Sequence, residues 1–303
     1  MVGQLQHHNS PSLNRAAKWG LISSAVIALI SVFGFKFFTL NPELLARFDW
    51  AMALYPYSYK AFAQAQIFTG WLAAVLMLTS RTKWAWLKAF AAVYAISLFS
   101  EFSGTSWGLP FGHYEYTDLL GFKLLDKVPW LIPMSWFFMG FAAYRLTIAL
   151  LGPSATIDSF TATCTRLLLA TGILLLWDVT LDPAMSKTTP FWIWEQEGSY
   201  YGMPALNIFG WAVTGLAIMI AIDRLFGPIK TKQVPANFFV GLYATNLILP
   251  LGLLAAVEAW IPLGLTVAMG WLLFRAGRWL GWRVIPRIKM RQDLTHAESR
   301  SPA

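Results

Sequence analysis

The sequence predicts an all-α protein, a polytopic transmembrane helical bundle with about eight spans, seven being the alternative count. The 303 residues are 57% hydrophobic and only 13% charged, with a mean hydropathy of +0.53. Soluble domains carry about 25% charged residues. The apolar residues also form long runs, and a helix needs about 20 such residues to cross the hydrocarbon of a bilayer. Lipid is therefore the expected solvent for much of the surface.

Eight apolar runs are predicted as spans. In chain order they cover residues 20–40, 61–78, 84–102, 130–150, 166–177 with its flanks, 206–225, 237–257 and 260–279. Runs of this length predict helices, because a helix satisfies its backbone hydrogen bonds within one segment. The chain then divides into a polar N-terminal tail (1–19), a single transmembrane domain (20–291) and a polar C-terminal tail (292–303).

The basic residues predict the orientation of the bundle. Most of the 23 Lys and Arg residues fall on one side if the N-terminus is cytoplasmic. The positive-inside rule then places both termini in the cytoplasm, whereas seven spans would put the basic C-terminal tail outside. The net charge of +8 is thus interpreted as membrane orientation and not as nucleic-acid binding. The predicted location is the cell membrane (inner or plasma membrane), with multiple passes.

The composition argues against several kinds of site. A single cysteine, Cys164, rules out an internal disulfide framework. Of the four histidines, only His113 lies outside the polar tails, so we expect no metal centre. The sequence shows no phosphate-binding loop, dinucleotide fingerprint or zinc motif. We therefore expect a reaction that needs no cofactor.

Two motif segments, residues 101–128 and 178–207, do not read as ordinary loops. Each follows a predicted span on the same side of the membrane and begins with a carboxylate at the end of an apolar run. Each continues with glycines and prolines, which break helices and allow tight turns, and with many aromatic residues. The segments could fold back into the membrane, provided that protein covers their backbone. The alternative is a pair of structured surface caps with interfacial aromatic residues.

Three acidic residues of these segments are the candidates for chemistry. Glu101 shares a helical face with Tyr94 and Ser97, and Asp178 ends the fifth span. Asp182 lies one turn further, although the proline that follows it disfavours helix at this position. Ionisable groups at membrane depth are costly and usually functional. The alternative is that each carboxylate caps a loop or pairs with Lys or Arg at the interface.

The motif segments resemble a known family. The resemblance runs from residue 97 to residue 211 and includes EFSGTSWGLPFGHYEY, LLLWDVTLDPAMS, PFWIWE and GSYYGMPALNIFGW. These sequences are similar to the membrane carotenoid-biosynthesis family of carotenoid 1′,2′-hydratases, which includes γ-carotene hydratase of myxoxanthophyll synthesis and bisanhydrobacterioruberin hydratase. The resemblance implies a lipid-soluble carotene substrate whose ψ-end-group double bond is hydrated. It also implies other carotenoid enzymes, such as a glycosyltransferase, as partners.

Acid-catalysed hydration fits the residues themselves. A buried carboxylic acid can protonate a trisubstituted alkene, and a second carboxylate can take a proton from the water that captures the tertiary cation. Aromatic faces stabilise a cation by about 0.5–2 kcal/mol each. The predicted catalytic residues are Glu101, Asp178 and Asp182. The predicted substrate-binding residues are the polar and aromatic side chains Thr105, Trp107, His113, Tyr114, Tyr116, Trp136, Trp192, Trp194, Tyr200, Tyr201 and Asn207.

Other functions fit parts of the same pattern. A lycopene-type cyclase would use the same protonation, and it would differ from a hydratase in the access of water to the cation. A transporter would show inverted repeats and broken helices in the middle of the membrane, whereas the motifs here concentrate at one face. An accessory protein for another carotenoid enzyme is the remaining alternative.

Overall fold

The computed structural model describes residues 9–196 and 198–281, which are almost entirely helical. The α-helices are α1 (Pro11–Gly34), α2 (Pro42–Leu45), α3 (Asp49–Thr82), α4 (Leu87–Trp107), α5 (Ile132–Leu151), α6 (Phe160–Asp182), α7 (Ala205–Leu225), α8 (Gly227–Lys232), α9 (Ala236–Ala256) and α10 (Trp260–Trp279). Two π-helical segments extend α1 and α6 and cover Phe35–Thr39 and Pro183–Thr188. Four short strands are β1 (Tyr114–Tyr116), β2 (Lys123–Leu124), β3 (Val128–Pro129) and β4 (Trp192–Trp194).

The predicted fold class, an all-α polytopic bundle, is confirmed. Within the described residues, seven helices are long and apolar enough to cross a membrane. They contain α1, α3, α5, α6, α7, α9 and α10. The third predicted span forms α4, a helix of 21 residues that is not among the seven. The prediction that both termini are cytoplasmic depends on whether α4 is counted as a span, and it stays a prediction.

Helix α5 lies in the middle of the bundle. It packs against α3, α4, α6, α7 and α9, and almost every one of its side chains is buried. Phe137, Phe138 and Phe141 are fully buried there. In contrast, α1 and α10 leave large apolar side chains exposed, such as Phe33 and Trp271. Because no polar surface covers them, these outer helices present the surface that lipid is expected to contact.

The two motif segments meet at one end of the bundle. Strands β1 and β4 pair antiparallel, with Tyr114 opposite Trp194 and Tyr116 opposite Trp192. The backbone N–H of Thr117 also donates to the carbonyl of Phe191 (3.0 Å). This pairing brings the ends of α4 and α6 together, although the two helices are far apart in the sequence.

The expectation that proline interrupts the helix at Asp182 is wrong. Asp182 has helical dihedral angles (φ −61°, ψ −54°), and the chain continues through Pro183 as a π-helix. Proline lacks the N–H that would bond to the carbonyl four residues earlier. Here that carbonyl, on Val179, accepts a hydrogen bond from the Tyr200 hydroxyl instead (2.9 Å). The external donor removes much of the cost of proline inside the helix.

The helix boundaries differ from the predicted ones mainly at the starts of α1 and α3 and in the fifth span. Helix α3 begins at Asp49, well before the predicted span of 61–78. Helix α1 begins at Pro11, inside the segment predicted as the polar N-terminal tail. Helix α6 covers 23 residues and is much longer than the predicted 166–177 core of that span. Residues 1–8, residue 197 and residues 282–303, which include the predicted C-terminal tail and its basic residues, lie outside the described part of the chain.

Candidate active site

Three carboxyl groups lie together where α4, α6 and α7 meet. Glu101 belongs to α4, and Asp178 and Asp182 lie one turn apart on α6. Their side chains are almost fully buried, with residue exposures of 5%, 3% and 1% respectively. Asn207, in the first turn of α7, donates to both aspartates, at 3.1 Å to Asp178 Oδ2 and 3.4 Å to Asp182 Oδ2. The structure thus brings together all three predicted catalytic residues.

Glu101 accepts hydrogen bonds on both of its oxygens. Its Oε2 accepts from the hydroxyls of Tyr114 and Tyr116, the latter at 2.8 Å, and its Oε1 accepts from Trp136 Nε1 at 2.7 Å. Burial, followed by the nearby charge of Glu101, raises the pKa of both Tyr114 and Tyr116 well above the ordinary tyrosine value. Both hydroxyls therefore keep their protons and remain donors to Glu101.

Asp182 also has donors on both oxygens. Its Oδ1 accepts from Ser186 Oγ (3.0 Å) and Trp194 Nε1 (3.1 Å), and its Oδ2 faces Trp192 Nε1 at 3.3 Å. The indole N–H groups can only donate, so Asp182 is the acceptor in these contacts. The bonds to Oδ2 are long, which leaves this oxygen the less firmly held of the two.

Asp178 has the fewest partners of the three. Its Oδ2 accepts from Asn207, whereas its Oδ1 is buried and has no hydrogen-bond partner among the described residues. The ion pairs seen in that part of the chain, Lys123–Asp118 and Arg166–Asp223, involve none of the three site carboxyl groups. The described surroundings therefore contain no ion-paired cation that would balance three negative charges, contrary to the alternative of interfacial pairing with Lys or Arg.

Aromatic rings enclose a small cavity beside these carboxyl groups. Trp136 stacks on Trp211 with ring centroids 4.1 Å apart. Trp177 lies nearly perpendicular to Trp211, with ring centroids 5.9 Å apart. The cavity has a volume of about 50 Å³, and both Glu101 and Asp182 line it. Since one buried water needs roughly 10–15 Å³ of such cavity space, the space beside the acids can hold a few waters or a small apolar group.

Six of the predicted substrate-binding residues lie in this cavity wall. They are Tyr114, Tyr116, Trp136, Trp192, Trp194 and Asn207. Asp178 does not line the cavity, but it accepts a hydrogen bond from Asn207, which does. The β1–β4 pairing accounts for four of the six, because it places two tyrosines and two tryptophans side by side above the carboxyl groups.

The other predicted substrate-binding residues lie outside the cavity. Thr105 donates to the backbone carbonyl of Glu101 (3.0 Å), and Trp107 is 61% exposed. His113 packs against Gly108, where a β-carbon would come within 2.5 Å of the imidazole ring. Tyr200 bonds to the carbonyl of Val179, and Tyr201 packs edge-on against Tyr200. We assign these residues to the framework of the motif segments and not to the cavity wall.

Sequence reasoning missed several residues of the site, among them Trp177, Trp211 and Ser186. Trp177 and Trp211 supply ring faces, and Ser186 holds Asp182. Ser186 follows Asp182, and Trp211 follows Asn207, by four residues, which places each pair on one helical face. The spacing of Asp182 and Ser186 did not indicate a contact, because the helix was not expected to continue through the proline.

No metal site is apparent in the described segments. Residues 9–196 and 198–281 contain no group of three or more His, Cys, Asp or Glu side chains arranged to hold a metal ion. The expectation that the reaction needs neither a metal nor another cofactor stays a prediction.

Comparison with known proteins agrees with the resemblance of the motif segments. A family model described as "Carotenoid biosynthesis protein" matches residues 62–273, a range that contains the whole carboxyl cluster. Bisanhydrobacterioruberin hydratase of Haloarcula japonica is 30% identical over 188 residues, which are 60% of this chain and 62% of that protein. The chain thus spans less than two thirds of the length of this curated relative. No solved structure matches the chain. Since the family model covers more than half of the sequence, the chain belongs to the family of carotenoid biosynthesis proteins.

Proposed function

We propose that this protein is a carotenoid 1′,2′-hydratase of the cell membrane. It adds water to the terminal ψ-end-group double bond of a carotene such as γ-carotene or lycopene and forms a tertiary alcohol. The observation that carries the proposal is that Glu101 and Asp182 face one small cavity enclosed by tryptophan and tyrosine rings. The family match and the hydratase relative support carotenoid hydration as the reaction.

Asp182 is the proposed acid. Three neighbouring carboxyl groups without an ion-paired cation repel one another when all are charged, so we propose that the cluster retains a proton. Asp178 and Asp182 share the amide of Asn207 and form the pair that holds this proton. From Oδ2 of Asp182 the proton passes to the less substituted alkene carbon. A C–H bond forms, the π bond breaks, and the positive charge moves to the more substituted carbon.

The surrounding rings stabilise the resulting tertiary cation. Trp177 and Trp192 line both the cavity at the carboxyl groups and the apolar space next to it. A ring face within about 6 Å of a cation contributes about 0.5–2 kcal/mol. The negative charge of Glu101 adds an attraction that increases as the cation forms.

Glu101 is the proposed base. Its three hydrogen-bond donors stabilise the negative charge and fix the carboxylate beside the cavity. Water attacks the cation, a C–O bond forms, and the proton released by the water passes to Glu101. The product carries one more water than the substrate. Proton transfer from Glu101 back to the aspartate pair completes the cycle without a redox step or a cofactor.

The test is expression of the chain in a host that makes lycopene or γ-carotene, followed by chromatography and mass spectrometry of the pigments. We expect a product heavier by one water with an unchanged polyene chromophore. In heavy water, the product should carry deuterium on the carbon next to the alcohol carbon. A product of unchanged mass with a shifted absorption spectrum would contradict hydration and indicate cyclisation.

A further inference from the structure

A second and larger cavity lies between the carboxyl end of α1, the amino end of α3 and the second half of α9. Its volume is about 340 Å³, and apolar side chains such as Phe35, Phe62 and Leu253 form most of its wall. The reaction at the carboxyl groups does not account for a cavity of this size. Among the described residues, it shares no lining residue with the cavity at Glu101 and Asp182.

An intermediate cavity of about 80 Å³ lies between the two spaces. It shares Ala63, Phe191 and Leu249 with the larger cavity. It shares Ile132, Ser135, Trp177, Leu181 and Trp192 with the cavity at the carboxyl groups. The three cavities are therefore neighbours and follow one another from α1 and α3 to the acids.

The hydroxyl groups in the wall of the larger cavity are already engaged. Tyr55 and Tyr59 both hydrogen-bond to Thr39, and Ser58 donates to the carbonyl of Tyr55 (2.6 Å). Ser31 donates to a carbonyl one turn earlier in α1 (2.8 Å). None of the described residues that line this cavity is Asp, Glu, Lys or Arg. A hydrocarbon chain fits such a wall, because it has no polar groups that would need hydrogen-bond partners there.

The mouth of the larger cavity is apolar as well. Ile30, Trp50 and Leu54 line it and are also exposed on the outside of the bundle. They belong to α1 and α3, which are among the helices long and apolar enough to span a membrane. The opening is thus placed where a molecule dissolved in lipid would enter.

We infer that the larger cavity binds the polyene chain of the substrate, while its end group passes through the intermediate cavity to the carboxyl groups. This inference rests on the proposed hydratase function and adds a binding site for the unreactive part of the molecule. The substrate class is accordingly a long linear polyene that enters end-on from the bilayer between α1 and α3.

Gly34 allows the cavity to be filled without disturbing the helix. It lines the larger cavity with helical dihedral angles (φ −57°, ψ −43°), and a β-carbon added there meets nothing within 4 Å. Gly34→Phe should therefore occupy the space for the polyene. Gly264→Phe is the matched control, because Gly264 lies in α10, has equally free surroundings and lines none of the three cavities.

Hydration of two substrates tests the site. With the full-length carotene, Gly34→Phe should lower turnover at least about tenfold, because the bulky side chain would overlap with the bound polyene. With a short linear isoprenoid that has the same terminal alkene, turnover should stay within about twofold of wild type, as with Gly264→Phe. Unchanged hydration of the carotene by Gly34→Phe, or equal loss with both substrates, would overturn the inference.

A binding measurement distinguishes failure of this inference from failure of the proposed function. Lycopene quenches tryptophan fluorescence by energy transfer, so its affinity for the purified protein in detergent can be measured without turnover. We expect Gly34→Phe to weaken lycopene binding about tenfold, a change of about 1.4 kcal/mol, and Gly264→Phe to leave it unchanged. Equal affinities of the three proteins would overturn the binding site, whether or not the wild type hydrates carotene.

Discussion

Hydrogen bonds give the three buried carboxyl groups different environments. Glu101 has strong donors on both oxygens, Asp182 has two long contacts on Oδ2, and Asp178 has a buried oxygen without a partner in the described residues. Groups of the same chemical type can take opposite roles in proton transfer when their surroundings differ in this way. The proposed assignment of Asp182 as acid and Glu101 as base follows from these contacts.

Substitution of Asp182 tests the acid directly. Asp182→Asn keeps the shape of the side chain but cannot deliver a proton, so hydration should fall at least about 100-fold. Asp158→Asn is the control, because Asp158 is exposed and precedes α6, at the opposite end of this helix from the aspartates. Pigments from hosts with equal amounts of each variant in the membrane provide the measurement. Full turnover by Asp182→Asn would refute the proposed acid.

The tyrosines on Glu101 give a second test. Removing one hydroxyl, in Tyr114→Phe or Tyr116→Phe, takes a hydrogen bond from a charged group, which is worth about 1.5–3 kcal/mol. Turnover should fall roughly tenfold or more in each variant, with the carotene affinity nearly unchanged. Tyr57→Phe, at an exposed tyrosine of α3, should behave as wild type. Wild-type turnover in both site variants would contradict a role for Glu101 as a positioned base.

At the scale of elements, the end of α6 is unusual because functional residues lie on both sides of a proline. The π-helical segment carries Ser186 back to Asp182, and Tyr200 supplies the donor that Pro183 lacks. The second motif segment therefore stabilises the same helix end that presents the aspartates. In this element, folding of the loop and formation of the site depend on each other.

This dependence predicts a double-mutant result. Tyr200→Phe leaves the Val179 carbonyl without its donor, and the free energy of unfolding should fall by about 1 kcal/mol. Thermal unfolding in detergent measures this as a lower midpoint. The loss should shrink in a Pro183→Ala background, because the restored backbone N–H can donate in the same turn. Equal losses in the two backgrounds would show that Tyr200 does not compensate for the proline.

At the scale of the whole molecule, stability and chemistry are separated along α6 and α7. The carboxyl cluster lies at one end of these helices, and a buried ion pair between Arg166 and Asp223 lies at the other (Nε–Oδ1 3.0 Å). Tyr144 of α5 also donates to Asp223 at 2.5 Å. This network joins the three central helices far from the site.

Loss of this ion pair should affect folding and not catalysis. Asp223→Asn leaves Arg166 buried without its counter-charge, and breaking such a pair costs about 3–5 kcal/mol. The amount of folded protein and its unfolding temperature should fall, while hydration per folded molecule stays near wild type. Asp118→Asn, which removes a largely exposed pair, should change stability by at most about 1 kcal/mol. Reduced turnover by the folded fraction of Asp223→Asn would contradict the separation.

The sidedness of the bundle can be measured with single cysteines in a Cys164→Ser background. Glu115 lies exposed on β1, among the segments predicted outside, and Asp158 lies exposed between α5 and α6, predicted inside. An impermeant maleimide applied to intact cells should label Glu115→Cys and not Asp158→Cys. Labelling of Asp158→Cys should appear only after the membrane is opened. The reverse pattern would show that the motif segments face the cytoplasm.

Much of the fold and part of the site could be predicted from local sequence. Helices α9 and α10 coincide with their predicted spans to within one residue, because apolar runs that cross a bilayer have few alternatives to helix. The carboxyl residues were identifiable because charge at the end of an apolar run is rare and costly. The family resemblance was carried by the same two segments.

The sequence by itself thus determined the class of the protein, its helices and the acidic residues, since all of these depend on local composition. Only the tertiary structure decided which aromatic residues face the acids. Trp136 is 35 residues from Glu101 and Asn207 is 29 from Asp178, yet each pair is hydrogen-bonded. Trp107 and Trp194 look alike in the sequence, but one is exposed and the other holds Asp182. Contacts between distant segments depend on helix packing and strand pairing, and so do the three neighbouring cavities.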